Sequence, residues 1–107
     1  MSRELLDQIK KEIDSNTITL FVKGTRDMPM CGFSARTIAI FNEIGKPFKT
    51  VDILPDPQIR QALSSHSNWP TVPQVFIKGR FVGGCDIVTE MYMKGELQKL
   101  VEEAFGS

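Results

Sequence analysis

Thr17–Lys23 and Phe48–Ile53 are short runs rich in β-branched and aromatic residues, and the stretch between them, Gly32 to about Ile44, carries Ile38, Phe41 and Ile44 at helical spacing. Two strands joined through a helix imply a right-handed parallel crossover. Within the first run Leu20, Phe21 and Val22 do not alternate with polar residues, so both faces of that strand are expected to be covered. Lys23 then falls at the carboxyl end of a buried strand, the end where sites gather in sheets of this kind.

The rest of the chain extends this frame. Ser2 is positioned to cap a first helix reaching about Ser15, with Leu5, Leu6, Ile9 and Ile13 on one face and Asn16 ending it. Gly45 and Pro47 stop the second helix. Asp56-Pro57, an acidic cap before a proline at the first helical position, starts a third, with Ile59, Ala62 and Leu63 inward and Arg60 to one side. Ser64–Asn68 reads as a polar loop carrying His66. Trp69-Pro70-Thr71-Val72-Pro73 is neither helix nor central strand, because two prolines remove donors. Gln74–Ile77 and Phe81–Gly83 flank the turn Lys78-Gly79-Arg80 and predict a β-hairpin. Asp86 is expected to cap a short helix, Ile87–Met93, and Leu97, Leu100, Val101, Ala104 and Phe105 form the apolar face of a last one. The order α-β-α-β-α-β-β-α-α predicts an α/β protein with a mixed sheet and helices on both faces, one domain over residues 1–107.

A loop of small, polar and turn-forming residues, Gly24 to Pro29, delivers Cys31 to a helix start. The first amides of a helix lack partners and the peptide dipoles aim their positive end there, which favours an anion. A thiol held there loses its proton more readily than a free one, whose pKa is about 8.5. Ser34 occupies the place where a Cys-x-x-Cys pair has its second thiol. Cys31 is therefore expected to be a reactive or metal-binding thiolate with no local resolving thiol. The competing reading, a buried structural cysteine, is countered by the Gly and Pro flanks, which suit a loop mouth.

Composition narrows the partners. Lysine plus arginine equals aspartate plus glutamate, 13 each among 107 residues. That balance argues against bulk electrostatic binding to nucleic acid or anionic membranes. No apolar run approaches the roughly 20 residues of a membrane-crossing helix. The acidic residues near the N-terminus give no secretory or transit signal, although a mature form of a longer precursor stays open. Two cysteines 54 positions apart suit neither a disulfide scaffold nor structural zinc spacing, so a reducing, cytoplasmic setting (or an organelle interior for a mature form) is expected.

Cys31-Gly32-Phe33-Ser34, with Lys23-Gly24 upstream and Trp69-Pro70-Thr71-Val72-Pro73 and Gly83-Gly84-Cys85-Asp86 downstream, resembles the monothiol glutaredoxins of the CGFS type over nearly the whole chain. The resemblance implies a thioredoxin fold with a four-stranded mixed sheet and a cis peptide bond at Pro73. It also implies a glutathione site. Lys23 and Arg60 match residues that pair with glutathione carboxylates, Arg60 at the glycyl end. The Val72 backbone matches the segment that pairs with the cysteinyl part like an added strand. Cys85, through its backbone, and Asp86 match residues that receive the γ-glutamyl end.

Two functions follow from the resemblance. The first is an iron–sulfur carrier. A [2Fe–2S] cluster takes four thiolates, one chain offers Cys31, and bound glutathione offers a second, so the count requires a homodimer with two glutathiones. Delivery to apo iron–sulfur proteins and partnership with BolA-like proteins are implied alongside. The second is a weak glutathione-dependent oxidoreductase, in which Cys31 attacks a protein–glutathione mixed disulfide. A Cys31–Cys85 disulfide is a variant that depends on geometry. Of the remaining residues, His66 reads as a solvated surface residue, Trp69 as a packing anchor, and Phe33 as either buried or an exposed docking group beside the thiol.

Overall fold

The computed structural model describes residues 3–106, so the expected cap at Ser2 lies outside the described residues. Helix α1, Arg3–Ser15, is followed by strand β1, Ile18–Val22, helix α2, Gly32–Ile44, and strand β2, Lys49–Asp52. Helix α3, Pro57–Ser67, leads to the hairpin of β3, Gln74–Ile77, and β4, Arg80–Gly83, and the chain closes with helices α4, Cys85–Met93, and α5, Glu96–Gly106. The sheet order is β2-β1-β3-β4, with β1 parallel to β2 and antiparallel to β3, and β3 antiparallel to β4. This is the expected mixed sheet: one parallel crossover and one hairpin.

Every residue of β1 is buried, as the missing alternation requires. Ile18, Leu20 and Val22 face one core, shared with Ile38 and Phe41 of α2, Val88 of α4, and Leu97 and Val101 of α5. Phe21 faces the other, shared with Ile9 and Ile13 of α1, Ala62 and Leu63 of α3, and Phe76. Phe21 and Phe76 meet edge to face at 5.6 Å between ring centroids, a geometry that adds about 0.5–1.5 kcal/mol to their burial. Thr19, also buried, turns its hydroxyl to the Glu12 carbonyl at 3.2 Å and ties the end of α1 to the sheet.

Local signals place most ends. Asn16 donates its amide to the Glu12 carbonyl at 2.8 Å and closes α1. Gly45, left-handed at φ 83°, ends α2. Asp56 accepts the Gln58 N–H at 2.9 Å and caps α3 ahead of Pro57. Lys78 and Gly79 both have positive φ, the conformation that a tight two-residue hairpin turn demands.

Arg80, expected in the hairpin turn, pairs with Ile77 and opens β4, and two helix boundaries also differ from expectation. Ser64–Ser67 is helical, not a loop, and the break falls at Asn68, left-handed at φ 58°, whose N–H bonds to the Ser64 carbonyl at 2.8 Å. The polar run therefore forms the exposed last turn of a helix already anchored by Leu63. His66 is on that turn, exposed as expected, with its ring stacked on Phe76. Helix α4 starts at Cys85, two residues before the expected Ile87, with Gly84 as its extended cap, so Asp86 stands in the first turn and does not cap it. The Gly84 carbonyl takes the Val88 N–H at 3.0 Å, which supplies the helical bond that Asp86 was expected to organise.

Candidate thiol site

The carboxyl end of β1 opens into a loop held by its own backbone. Met30 donates its N–H to the Lys23 carbonyl at 2.9 Å, Thr25 donates to the Met28 carbonyl at 3.1 Å, and Met28 donates to the Thr25 hydroxyl at 3.0 Å. Gly24 makes this closure possible. Its φ is +96°, and a β-carbon there would lie 2.5 Å from the Met28 carbonyl oxygen and 2.7 Å from the Met30 nitrogen. The loop tip is pinned from outside by Arg26, whose guanidinium lies 3.9 Å over the Phe48 ring and donates to Asn42 Oδ1 at 2.8 Å.

The loop ends on Cys31, which caps α2 with extended backbone and accepts the Ala35 N–H at 2.9 Å through its carbonyl. Its thiol is half-exposed and closes no full cap hydrogen bond. The amides of Ser34 and then Phe33 nevertheless face the sulfur and are the main causes that hold its pKa below the ordinary thiol value. The Lys23 ammonium and the Ser34 hydroxyl act in the same sense, and partial desolvation acts against them. The anion-favouring helix start expected from the sequence is thus realised, and the buried structural reading of Cys31 is set aside.

Ser34 is fully buried, and its Oγ accepts the Lys23 backbone N–H at 3.1 Å. The position that a second thiol would occupy is used to lock the strand end to the helix start. Sequence spacing marked Ser34 only as a missing cysteine; its acceptor role follows from a contact across 11 positions.

The opposite wall is the Trp69–Pro73 segment, which carries a cis bond between Val72 and Pro73. Gln74, buried completely, donates Nε2 to the carbonyls of Trp69 and Thr71 at 3.1 and 3.0 Å and so shapes this segment. Along the sequence Gln74 is marked only as a strand residue, since nothing local distinguishes a buried amide from an exposed one. Trp69 packs against Phe81 at 5.6 Å, the anchoring role expected of it. Gly84 backs onto this wall, where a β-carbon would come within 3.3 Å of the Pro73 carbonyl oxygen.

Between the walls runs a groove of about 420 Å³. All six residues singled out in the sequence, Lys23, Cys31, Arg60, Val72, Cys85 and Asp86, line it, together with Phe33, Trp69, Thr71, Pro73, Gly84 and Ile87. Arg60 is exposed and donates Nη2 to the Pro70 carbonyl at 3.2 Å, which fixes one cation at the mouth. Among the described residues, the Val72 backbone has no hydrogen-bond partner, so its N–H and C=O are available to an extended ligand. Asp86 is exposed at the start of α4. The groove thus places two cations, one carboxylate and the unbonded backbone of Val72 around a thiol whose pKa is lowered.

Cys85 also reaches the groove wall, but its side chain is buried and its Sγ lies 3.8 Å from Thr89 Oγ1, one turn along the same helix. Both cysteines are free thiols, so the Cys31–Cys85 disulfide is not formed in this structure. Around Cys31 the surface is apolar: Met28, Met30 and Phe33 are 70%, 68% and 62% exposed, and Ile87 is 38% exposed. Phe33 is therefore the exposed alternative, not the buried one. Among the described residues, no three His, Cys, Asp or Glu side chains are grouped to hold a metal ion, and no helix is long and apolar enough to cross a membrane.

Residues 18–82 match the Glutaredoxin family. The chain is 47% identical over its full length, and over the full length of the relative, to a Synechocystis protein named "Uncharacterized monothiol glutaredoxin ycf64-like". The solution structure of reduced poplar apo GrxS14 superposes with a TM-score of 0.85 at 46% identity, covering 96% of this chain and 94% of that one. The buckwheat glutaredoxin–glutathione complex also superposes at 0.85, with 28% identity over 97% of this chain and 96% of that one. The sheet and helices described above are accordingly those of a thioredoxin fold.

Proposed function

The chain belongs to the glutaredoxin family, among its monothiol members, and from that premise we propose that it carries a [2Fe–2S] cluster, held jointly with glutathione between two copies of the chain, and delivers it to apo iron–sulfur proteins. The observation that carries this reading is the sulfur count at the groove. Cys31 is half-exposed with a lowered pKa, Ser34 is buried and committed to the Lys23 N–H, and Cys85 is turned into its own helix. A two-iron centre takes four thiolates, so one chain must borrow.

The groove suits a thiol-bearing tripeptide with two carboxylates and one ammonium. Lys23 and Arg60 pair with carboxylates, Arg60 at the glycyl end where the Pro70 carbonyl holds it. The Val72 backbone extends the ligand as an added strand. Asp86 and the first amides of α4, including that of Cys85, receive the γ-glutamyl end. Each copy then presents Cys31 and a glutathione sulfur side by side. Because glutathione is not covalently attached, the assembly can come apart on transfer. The exposed collar of Met28, Met30, Phe33 and Ile87 suits docking of the second copy, of recipient apoproteins, or of a BolA-like partner. A cytoplasmic setting belongs to the same proposal.

The test is anaerobic reconstitution with iron and sulfide, with and without glutathione, followed by visible spectroscopy and native mass. The expected result is a coloured dimer only when glutathione is present. A colourless monomer in both conditions, with fast turnover on a glutathionylated substrate, would favour the second reading.

That second reading, a glutathione-dependent oxidoreductase, rests on the lowered pKa of Cys31. Its thiolate would attack the glutathione sulfur of a mixed disulfide, forming a Cys31–glutathione bond and releasing the protein thiol. A second glutathione thiolate would then attack that bond, freeing Cys31 and leaving oxidised glutathione. This path needs no thiol at position 34.

A further inference from the structure

Where β1 ends and turns away, the parallel ladder with β2 should leave amides without partners. The ladder runs to Val22 opposite Asp52, and Ile53 still donates its N–H to the Val22 carbonyl at 3.0 Å. Beyond it, the Gly24 N–H has no strand carbonyl to reach. It bonds instead to Asp52 Oδ1 at 2.9 Å. The same oxygen accepts the Leu54 N–H at 2.9 Å. One carboxylate oxygen therefore joins two loops: the one that carries Lys23 and leads to Cys31, and the one that leads to Asp56, Pro57 and the helix of Arg60.

We infer that Asp52 is a positioning residue for the thiol site, setting where Lys23 stands relative to Arg60 by bonding the Gly24 and Leu54 amides at once. Lys23 is held on either side. Its own N–H goes to Ser34, its carbonyl takes the Met30 N–H, and the next amide goes to Asp52. The first two bonds tie Lys23 to α2 and its approach; the Ile53–Val22 bond before it and the bond through Asp52 after it tie it toward the α3 side, and of these only the latter is made by a side chain. Two cations that must meet carboxylates of one ligand need a fixed spacing, and a short carboxylate bridging the two backbones supplies it without touching the ligand. The geometry requires an acceptor of aspartate length. Asparagine keeps that acceptor, alanine removes it, and glutamate keeps the charge but moves the oxygen by one methylene.

This inference rests on the glutathione reading for its affinity readout, and a second readout is independent of it. Prepare the full chain as Asp52→Asn, Asp52→Ala and Asp52→Glu, and work at a temperature where melting curves show each variant folded. Measure the glutathione dissociation constant by calorimetry, the alkylation rate of Cys31 by iodoacetamide at pH 7 in a Cys85→Ser background, and amide exchange at Gly24 and Leu54. The alanine and glutamate variants are expected to bind glutathione at least about threefold more weakly, to alkylate Cys31 more slowly, and to exchange both amides faster, as loss of about one net hydrogen bond allows. The asparagine variant is expected to match the parent in all three. An alanine variant with unchanged affinity and alkylation rate overturns the inference. So does an asparagine variant as impaired as alanine beside a normal glutamate variant, since charge would then be the requirement. If the parent chain itself fails to bind glutathione, the functional reading falls, and exchange and alkylation still decide the role of Asp52.

Discussion

Ser34 Oγ accepts the backbone N–H of Lys23 at 3.1 Å, so the position three residues past the thiol is turned back into the loop. Removing that acceptor leaves the N–H at the strand end without a partner. Ser34→Ala is expected to lower stability by about 1–3 kcal/mol in urea unfolding. It also removes a hydroxyl that helps lower the Cys31 pKa, so the alkylation midpoint should rise. Unchanged stability and midpoint would leave Ser34 without the role assigned to it.

The lowered pKa of Cys31, caused first by the Ser34 and Phe33 amides, has a defined pH signature. Alkylation of the native protein should reach half its maximal rate below about 8.5, the free-thiol value. In the window between the native and unfolded thiol pKa values, the unfolded chain binds more protons, so native stability should increase with pH and level off above the unfolded value. Cys31→Ser should flatten that part of the curve. A midpoint at or above the free-thiol value would remove the thiolate from the mechanism.

The two cysteines should separate cleanly. Cys31→Ser is expected to abolish the visible absorbance of a reconstituted sample, whereas Cys85→Ser should retain most of it, because Cys85 is buried beside Thr89. Equal loss in both variants would contradict a ligand set that takes one sulfur from each chain.

Charge pairing at the groove mouth predicts that Lys23→Ala weakens glutathione binding by about tenfold, the worth of one charge-assisted hydrogen bond. Affinity of the parent should also fall as salt is raised. Calorimetry across a salt series tests both, and an affinity indifferent to the substitution and to salt would assign Lys23 to the surface alone.

Gln74 holds the far wall through two carbonyls. Gln74→Leu fills nearly the same volume but leaves the Trp69 and Thr71 carbonyls unbonded. A destabilisation of about 1–3 kcal/mol is expected, with weaker glutathione binding in calorimetry even where the protein is fully folded. Retained affinity would mean that the Pro70–Pro73 segment keeps its shape without this amide.

The elements that sequence reading placed well are those with a local physical cause. Glycine and proline bound α2 and the hairpin turn, and Asp56-Pro57 starts α3. The boundaries it misplaced lack one. Ser64–Ser67 has loop composition, yet its backbone is helical because Leu63 is already buried and Asn68 accepts a left-handed stop. Gly84 starts α4 through its carbonyl alone, which no side-chain pattern announces.

The amino-acid sequence by itself determined the order of elements, the mixed sheet and a lone thiol at a helix start, because hydrophobic period, turn residues and cap residues act within a few positions of each other. Only the tertiary structure decided that Ser34 serves Lys23, that Gln74 shapes the Trp69–Pro73 wall, and that Asp52 bridges two loops. Those assignments depend on which unsatisfied amides and carbonyls the packed strands bring within about 3 Å of a side chain, and that is a property of the assembled sheet, not of neighbouring residues along the chain.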